Sequence, residues 1–281
     1  MKGVYKNMDL KTISKDIRCD VLTCIGSLGT GHIGGCLSAV ELLTVLYFEA
    51  MNIDPDDPKK PGRDRFVCSK GHAGPAVYAA LANRGYFDKA ELLTLNRGGT
   101  NLPSHCDARL TKGIDMTTGS LGQGFSCAVG IALGSKIAKD GATVYALIGD
   151  GETQEGQIWE AAMFASAKKL SNLIAFTDRN KFEIDGVVEE VNSIEPLADK
   201  WAAFGWRVIE VEDGNDVEQV SEAVKHAKLG LEGDKPTMVI LNTVKGCGVR
   251  WIEELGPACH NTTLTMEQAQ AAILEVRGEG R

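Results

Sequence analysis

The sequence predicts an α/β fold, a parallel sheet with helices on both faces, and three of its features point there. From residue 143 onward, strand-like and helix-like segments alternate regularly. The strand-like segments are apolar almost throughout, as befits strands covered on both sides. No internal repeat, low-complexity tract or Pro/Ser-rich linker interrupts the 281 residues, so a single continuous domain, 1–281, is expected.

The elements follow in order. Ile13, Ile17, Val21, Cys24, Ile25 and Leu28 recur at helical spacing, which predicts an amphipathic helix ending in the glycine-rich "GSLGTGHIGG". A second helix is expected from Ser38, whose hydroxyl would form a capping box with Glu41 ahead of "LLTVLYFEAM". "NIDPDDPKKPGRD" then reads as a loop. "RFVC" is a short strand leading through "SKGHAG" into a helix over "PAVYAALANRG", and "GSLGQG" precedes the apolar helix "FSCAVGIALGSKIA". The regular part runs strand "TVYALIG", helix "GQIWEAAMFASAKKL", strand "NLIAFTD", helix around "PLADKWAAF", strand "WRVIEV", helix "VEQVSEAVKHAK" and strand "TMVILNTV".

Composition narrows the function classes. At 43% hydrophobic and 24% charged residues, the chain has the make-up of a soluble globular protein. Its formal net charge of -8 argues against a nucleic-acid scaffold, which would carry a clustered basic surface. No apolar run approaches the roughly 18–20 residues of a membrane span. The start, "MKGVYKNMDLKTISKD", lacks the apolar centre of a signal peptide, so a cytoplasmic location is expected. The eight cysteines include no C-x-x-C pair, and Cys24, Cys68 and Cys127 fall in apolar runs where a thiol serves as a small core side chain.

In an open α/β sheet, ligands collect at the carboxyl ends of the strands. "GDGETQEG" begins at such an end, and 30 residues separate Asp150 from Asn180, the length of one strand-helix-strand crossover. An Asp carboxylate beside an Asn carbonyl offers hard oxygen ligands suited to Mg²⁺ or Ca²⁺, with water and ligand phosphate completing the shell. Gly151 lacks a Cβ, so its N–H can approach a phosphate closely. Taken alone, G-D-G is an ordinary turn; its pairing with Asn180 in this topology is what points to a metal.

The stretch "GDGETQEGQIWEAAMFASAKKLSNLIAFTDRNKFEIDG" resembles the thiamine diphosphate motif of the transketolase family. The resemblance continues through "GTGHIGGCLSAVELLTVLYF", "RDRFVCSKGHAGPAVYAAL", "TTGSLGQG", "PLADKWAAFGWRVIEV" and "NTVKGCGV", and so spans roughly residues 10 to 260 in the family's order. It implies the family's diphosphate-domain fold, thiamine diphosphate as cofactor, and Mg²⁺ (or Ca²⁺ or Mn²⁺) held by Asp150, Asn180 and the carbonyl of Phe182. By the same resemblance, His72, Gly149, Gly151, Glu152 and Asn180 belong to the cofactor's surroundings. Gly119, Ser120 and Leu121 belong there too, with Gly119 and Leu121 along the aminopyrimidine, and Ile184 as a wall of the pocket. His32, His105 and His260 match histidines that face substrate or diphosphate and carry out the catalytic proton transfers, and Glu155 matches the acid that links paired sites. His226, within a helical pattern, reads as structural.

The sequence departs from the family at Ile33 and Cys106, where prolines are usual after the histidines, and at Arg179, where Asn or Asp is usual. The first two bear on sugar specificity; the third should leave metal binding intact. "WIEELGPACHN" is one residue longer than usual before its histidine. The family's cofactor-activating carboxylate and its contacts to the substrate's phosphate end lie in a second, pyrimidine-binding domain, for which a chain ending at Arg281 has no room. The resemblance therefore implies the amino-terminal subunit of a split transketolase. It would be inactive alone, completed by a carboxy-terminal chain in an α2β2 heterotetramer, and would act on sugar phosphates or related sugars. Three rival readings compete with this one. "GTGHIG" fits the dinucleotide pattern G-x-G-x-x-G, but a helix rather than a strand precedes it. An oxo-acid dehydrogenase subunit would share G-D-G and the distant Asn but not "SKGH", "GHIGG" and "IDG" together. A non-catalytic cofactor-holding remnant is the third.

Overall fold

The computed structural model describes residues 8–279; residues 1–7, part of the start that reads as lacking a signal peptide, and the last two lie outside the described part. In chain order the helices are α1 (Leu10–Leu28), α2 (Ile33–Leu37), α3 (Val40–Val45), α4 (Gly74–Arg84), α5 (Gln123–Ala138), α6 (Gly156–Ala167), α7 (Val188–Asn192), α8 (Leu197–Ala203), α9 (Val217–Lys228), α10 (Arg250–Glu253) and α11 (Met266–Arg277). The strands are β1 (Thr30–Gly31), β2 (Arg65–Cys68), β3 (Val144–Gly149), β4 (Leu173–Arg179), β5 (Arg207–Val211), β6 (Thr237–Asn242) and β7 (Thr262–Thr263).

Five strands form one parallel sheet in the order β2-β3-β4-β6-β5, as the apolar runs predict. Side chains alternate across it. Tyr145 and Leu147 of β3 enter a core shared with α1, α3, α4, α9 and α11, while Val144, Ala146 and Ile148 enter a second core with α5, α6 and α8. Helices thus cover both faces. All of the strands expected from the alternation are present, each within a residue or two of its expected limits.

Helix α1 begins three residues before its first periodic apolar position, because Asp9 caps it by accepting from the Thr12 N–H at 2.8 Å. Gly29, at φ 91°, ends it, and its N–H bonds the Ile25 carbonyl. "GTGHIG" therefore follows a helix, which is incompatible with a dinucleotide site.

The capping box at Ser38 is a correction. Ser38 closes α2, and its hydroxyl donates to the buried Asp178 carboxylate at 2.7 Å. Glu41 turns instead to Arg18 in a buried ion pair. A hydroxyl gains more from a buried charge than from one helix N–H, so α3 starts at Val40 without a side-chain cap. Cys24 and Cys68 are buried as expected, whereas Cys127 is half-exposed; all eight thiols are free. Helix α5 is apolar around its circumference yet leaves Ile137 73% exposed, and neighbouring α6 exposes Met163 and Phe164.

Candidate functional site

The sheet places the site. Pairing of Gly149 with Asp178 sets the ends of β3 and β4 side by side, so Asp150 and Asn180 emerge together at the carboxyl edge. Loops following β2 and β6 join them, as do the α1–α2 connection and the segment before β7. Together they enclose a cavity of about 390 Å³ whose lining includes His32, His72, His105, His260, Asp150 and Asn180.

Asp150 is 2% exposed, and its carboxylate accepts from the backbone N–H groups of Gly151 and Lys181. Lys181 adopts φ 70°, which turns its N–H onto that carboxylate. Burial, reinforced by the Asp178 carboxylate nearby, pushes Asp150 up to about 7. Asn180 donates through Nδ2 to Asp178 at 2.9 Å and accepts at Oδ1 from the Phe182 N–H at 3.3 Å. The Phe182 carbonyl accepts from the Lys245 ammonium at 2.9 Å. Burial, with Lys70 nearby, brings Lys245 down to about 8.

These three residues fit a hard divalent ion. Their donors are a carboxylate, a carboxamide and a carbonyl, all oxygen. Asp150 is a buried carboxylate that forms no ion pair among the described residues, so a cation there would relieve both its desolvation and its repulsion from Asp178. Among those residues no three His, Cys, Asp or Glu side chains form a complete cage, so an ion would take further ligands from what it binds. A Cβ on Gly151 would stand 2.8 Å from Glu183 Oε2, which leaves backbone, not side chain, facing the cavity at this point.

Four of the five histidines cluster. The His32 ring lies 5.3 Å from His72, 5.5 Å from His105 and 5.4 Å from His260 between centroids, and His72 lies 4.9 Å from His260. Burial is the largest influence on each. It brings His32 down to about 4, with His105 adding to the effect, and His260 down to about 3, with Lys245 adding. His72 falls well below its ordinary value and His105 falls as well. All four are neutral at pH 7, able to donate from one ring nitrogen and accept at the other. Lys245 Nζ stands 3.3 Å from His260 Nδ1, which assigns Nδ1 as acceptor and leaves the proton on Nε2. His260 joins the cluster despite the longer segment before it. His226 sits on α9, where it was expected to be structural.

Gly119, Leu121, Gly149, Gly151, Glu152, Glu155, Phe182 and Ile184 also border the cavity. Gly119, at φ 155°, lies where a Cβ would come within 3.3 Å of the His105 ring. Ser120 is exposed between Gly119 and Leu121, which border the cavity on either side of it. The Glu152 carboxylate accepts from the Ser69 hydroxyl, the Gly122 N–H at 2.8 Å and the Gly149 N–H at 3.1 Å, so it ties the segments after β2 and before α5 to the end of β3. Glu155 is exposed at the rim, and Ile184 is 69% exposed there. Ile33 and Cys106 point into the core, so their departure from proline touches the site only through the backbone of the adjacent histidines. Arg179 turns away to Glu195 and Asn242.

Sequence reasoning gave no role to Asp178, Lys70 or Lys245. All three stand inside quoted motifs, "DRN", "SKGH" and "NTVKGCGV", but no local pattern around them marks a buried charge.

Residues 10–273 match the family model described as transketolase, thiamine diphosphate binding domain. A 6-deoxy-6-sulfo-D-fructose transketolase subunit from Clostridium sp. (strain MSTE9) is 54% identical over 275 residues, 98% of each chain. One subunit of an apulose-4-phosphate transketolase from Phocaeicola vulgatus is 42% identical over 246 residues, covering 88% of this chain and 86% of the relative. The solved transketolase from Leishmania mexicana superposes with a TM-score of 0.89 at 30% identity; the match covers 97% of this chain but 42% of that one.

Proposed function

The chain belongs to the transketolase family, whose thiamine diphosphate-binding domain it carries, and from that premise we propose that it is the amino-terminal subunit of a two-chain transketolase. The observation that carries the reading is the meeting of four neutral imidazoles with an all-oxygen donor set at one sheet edge. Relatives of matching length that are themselves named as subunits support it. Thiamine diphosphate, when bound, supplies the nucleophilic carbon and electron sink for cleaving and forming a C–C bond. Asp150, Asn180 and the Phe182 carbonyl would hold Mg²⁺, and Gly151 and His72 would lie along the diphosphate. His32, His105 and His260 would hold sugar hydroxyls and move protons at Nε2 or Nδ1, which their neutral state permits near pH 7.

The partner supplies what this half lacks. Glu155 and Ile184 stand open at the cavity rim, and Ile137, Met163 and Phe164 leave apolar surface on α5 and α6, the kind of surface an intersubunit contact covers. Two copies of each chain, an α2β2 assembly with Glu155 facing its neighbour, complete the proposal. No helix among the described residues is long and apolar enough to cross a membrane; a cytoplasmic location is part of the proposal.

For the donor we propose a ketose with an anionic far end, 6-deoxy-6-sulfo-D-fructose before apulose 4-phosphate, on the strength of the 54% identity to the first relative. The rim of this chain bears Glu155, Glu183 and Asp185, while its ammonium groups, Lys70 and Lys245, lie deep. The sulfonate or phosphate would therefore be bound by the partner. The test is co-expression with the candidate partner chain and assay of two-carbon transfer from each donor. Transfer by the pair and none by either chain alone is expected; transfer by the single chain would overturn the reading.

A further inference from the structure

Asp178 is 1% exposed and sits one residue before the end of β4, between Gly149 of β3 and Leu241 of β6. Its carboxylate is the meeting point of four side chains from four separate segments. The Ser38 hydroxyl donates to Oδ2 at 2.7 Å from the end of α2, and Asn180 Nδ2 donates to the same oxygen at 2.9 Å. The Lys70 ammonium, in the loop after β2, also reaches Oδ2, and the Thr243 hydroxyl, just past β6, reaches Oδ1. Lys70 is fixed further by the Gly35 carbonyl at 3.0 Å.

This arrangement decides which way the Asn180 carboxamide faces. Turned over, it would set Oδ1 against Asp178 Oδ2, two acceptors at hydrogen-bond distance with no proton between them, at a buried site where such a contact is costly. The donor half is therefore held toward Asp178, and the oxygen half is left for the Phe182 N–H and the cavity. We infer that Asp178 is a positioning residue that presents the Asn180 oxygen to the divalent ion and ties the loops after β2, β4 and β6 to one point. The inference rests on the proposed metal and thiamine diphosphate site.

The test uses the two-chain enzyme with Mn²⁺ and thiamine diphosphate as the probe, free Mn²⁺ being counted by electron paramagnetic resonance. Asp178→Asn should weaken Mn²⁺ binding by about tenfold or more, the scale of losing a group that orients a metal ligand, and raise the cofactor concentration needed for half-maximal rate in step. Binding by Asp178→Asn within about twofold of wild type, or a half-saturating cofactor concentration that does not rise with the loss of binding, would overturn the inference. Should Asp178→Asn fail to fold, Ser38→Ala and Thr243→Val take its place: weakened binding in either supports the inference and unchanged binding in both overturns it. A wild-type enzyme that does not bind Mn²⁺ with thiamine diphosphate would overturn the functional reading, and this inference with it.

Discussion

Lowering the pH should destabilise the chain through its histidine cluster, and removing one ring should remove a definite share of that loss. His32 is held at about 4 and His260 at about 3, against 6.5 for a free histidine. The folded values lie below the unfolded one. Stability is therefore complete above pH 6.5 and is lost as pH falls from 6.5 toward 4, where the unfolded chain takes up protons that the folded chain refuses. Between pH 7.5 and 5.5 a fully sheltered histidine would lose about 1.4 kcal/mol; the partial exposure of these rings to the cavity reduces this to roughly 1 kcal/mol each. Asp150 works in the opposite direction, since its folded value is raised to about 7 and it binds a proton early. The measurement must therefore be a difference between wild type and His32→Gln, with stability read by urea denaturation without cofactor at both pH values. The variant should lose about 1 kcal/mol less than wild type, or about 2–4 °C less in Tm. Equal losses in the two proteins, or a His32 proton resonance titrating near 6.5, would refute the reasoning.

Other outcomes follow from packing. Gly34→Ala would put a Cβ 2.3 Å from Cys259 Sγ and 2.8 Å from the Cys259 carbonyl, so the segment bearing His260 must shift; a stability loss of about 1–3 kcal/mol is expected in thermal denaturation. Glu41→Ala strands the buried Arg18 guanidinium and should cost about 3–5 kcal/mol in urea denaturation. Met163→Glu and Ile137→Glu lie on exposed surface, and should leave the Tm of the isolated chain nearly unchanged while reducing the partner recovered with it by affinity purification. Asp150→Ala should abolish measurable binding of thiamine diphosphate with Mg²⁺ in calorimetry without unfolding the chain.

What the sequence showed, and what it hid, divides by distance along the chain. The spacing of Ile13, Ile17, Val21 and Cys24 and the apolar runs of β3, β4 and β6 are local signals, and the elements formed where they pointed. Asp150 and Asn180 were legible because one crossover fixes their juxtaposition. Helix α11 was missed although Thr265 and Gln268 form a capping box, because it buries only Ala269 and Ala272, too small a stripe to stand out. Ser38 and Glu41 had the spacing of a capping box, but partners far away in sequence, Asp178 and Arg18, took both side chains. Lys70 and Lys245 were unreadable for the same reason: nothing near them predicts a buried ammonium, and their acceptors come from other segments.

The two-residue ladder of β1 and β7 joins Thr30 to Thr263 and Gly31 to Thr262, bringing His32 and His260 together from nearly opposite ends of the chain. A contact of such sequence separation forms only when almost all of the polypeptide has left the ribosome. A nascent chain that has not yet reached β7 lacks the fourth imidazole and the strand that fastens it. The histidine cluster is thus assembled late, once segments about 230 residues apart have met.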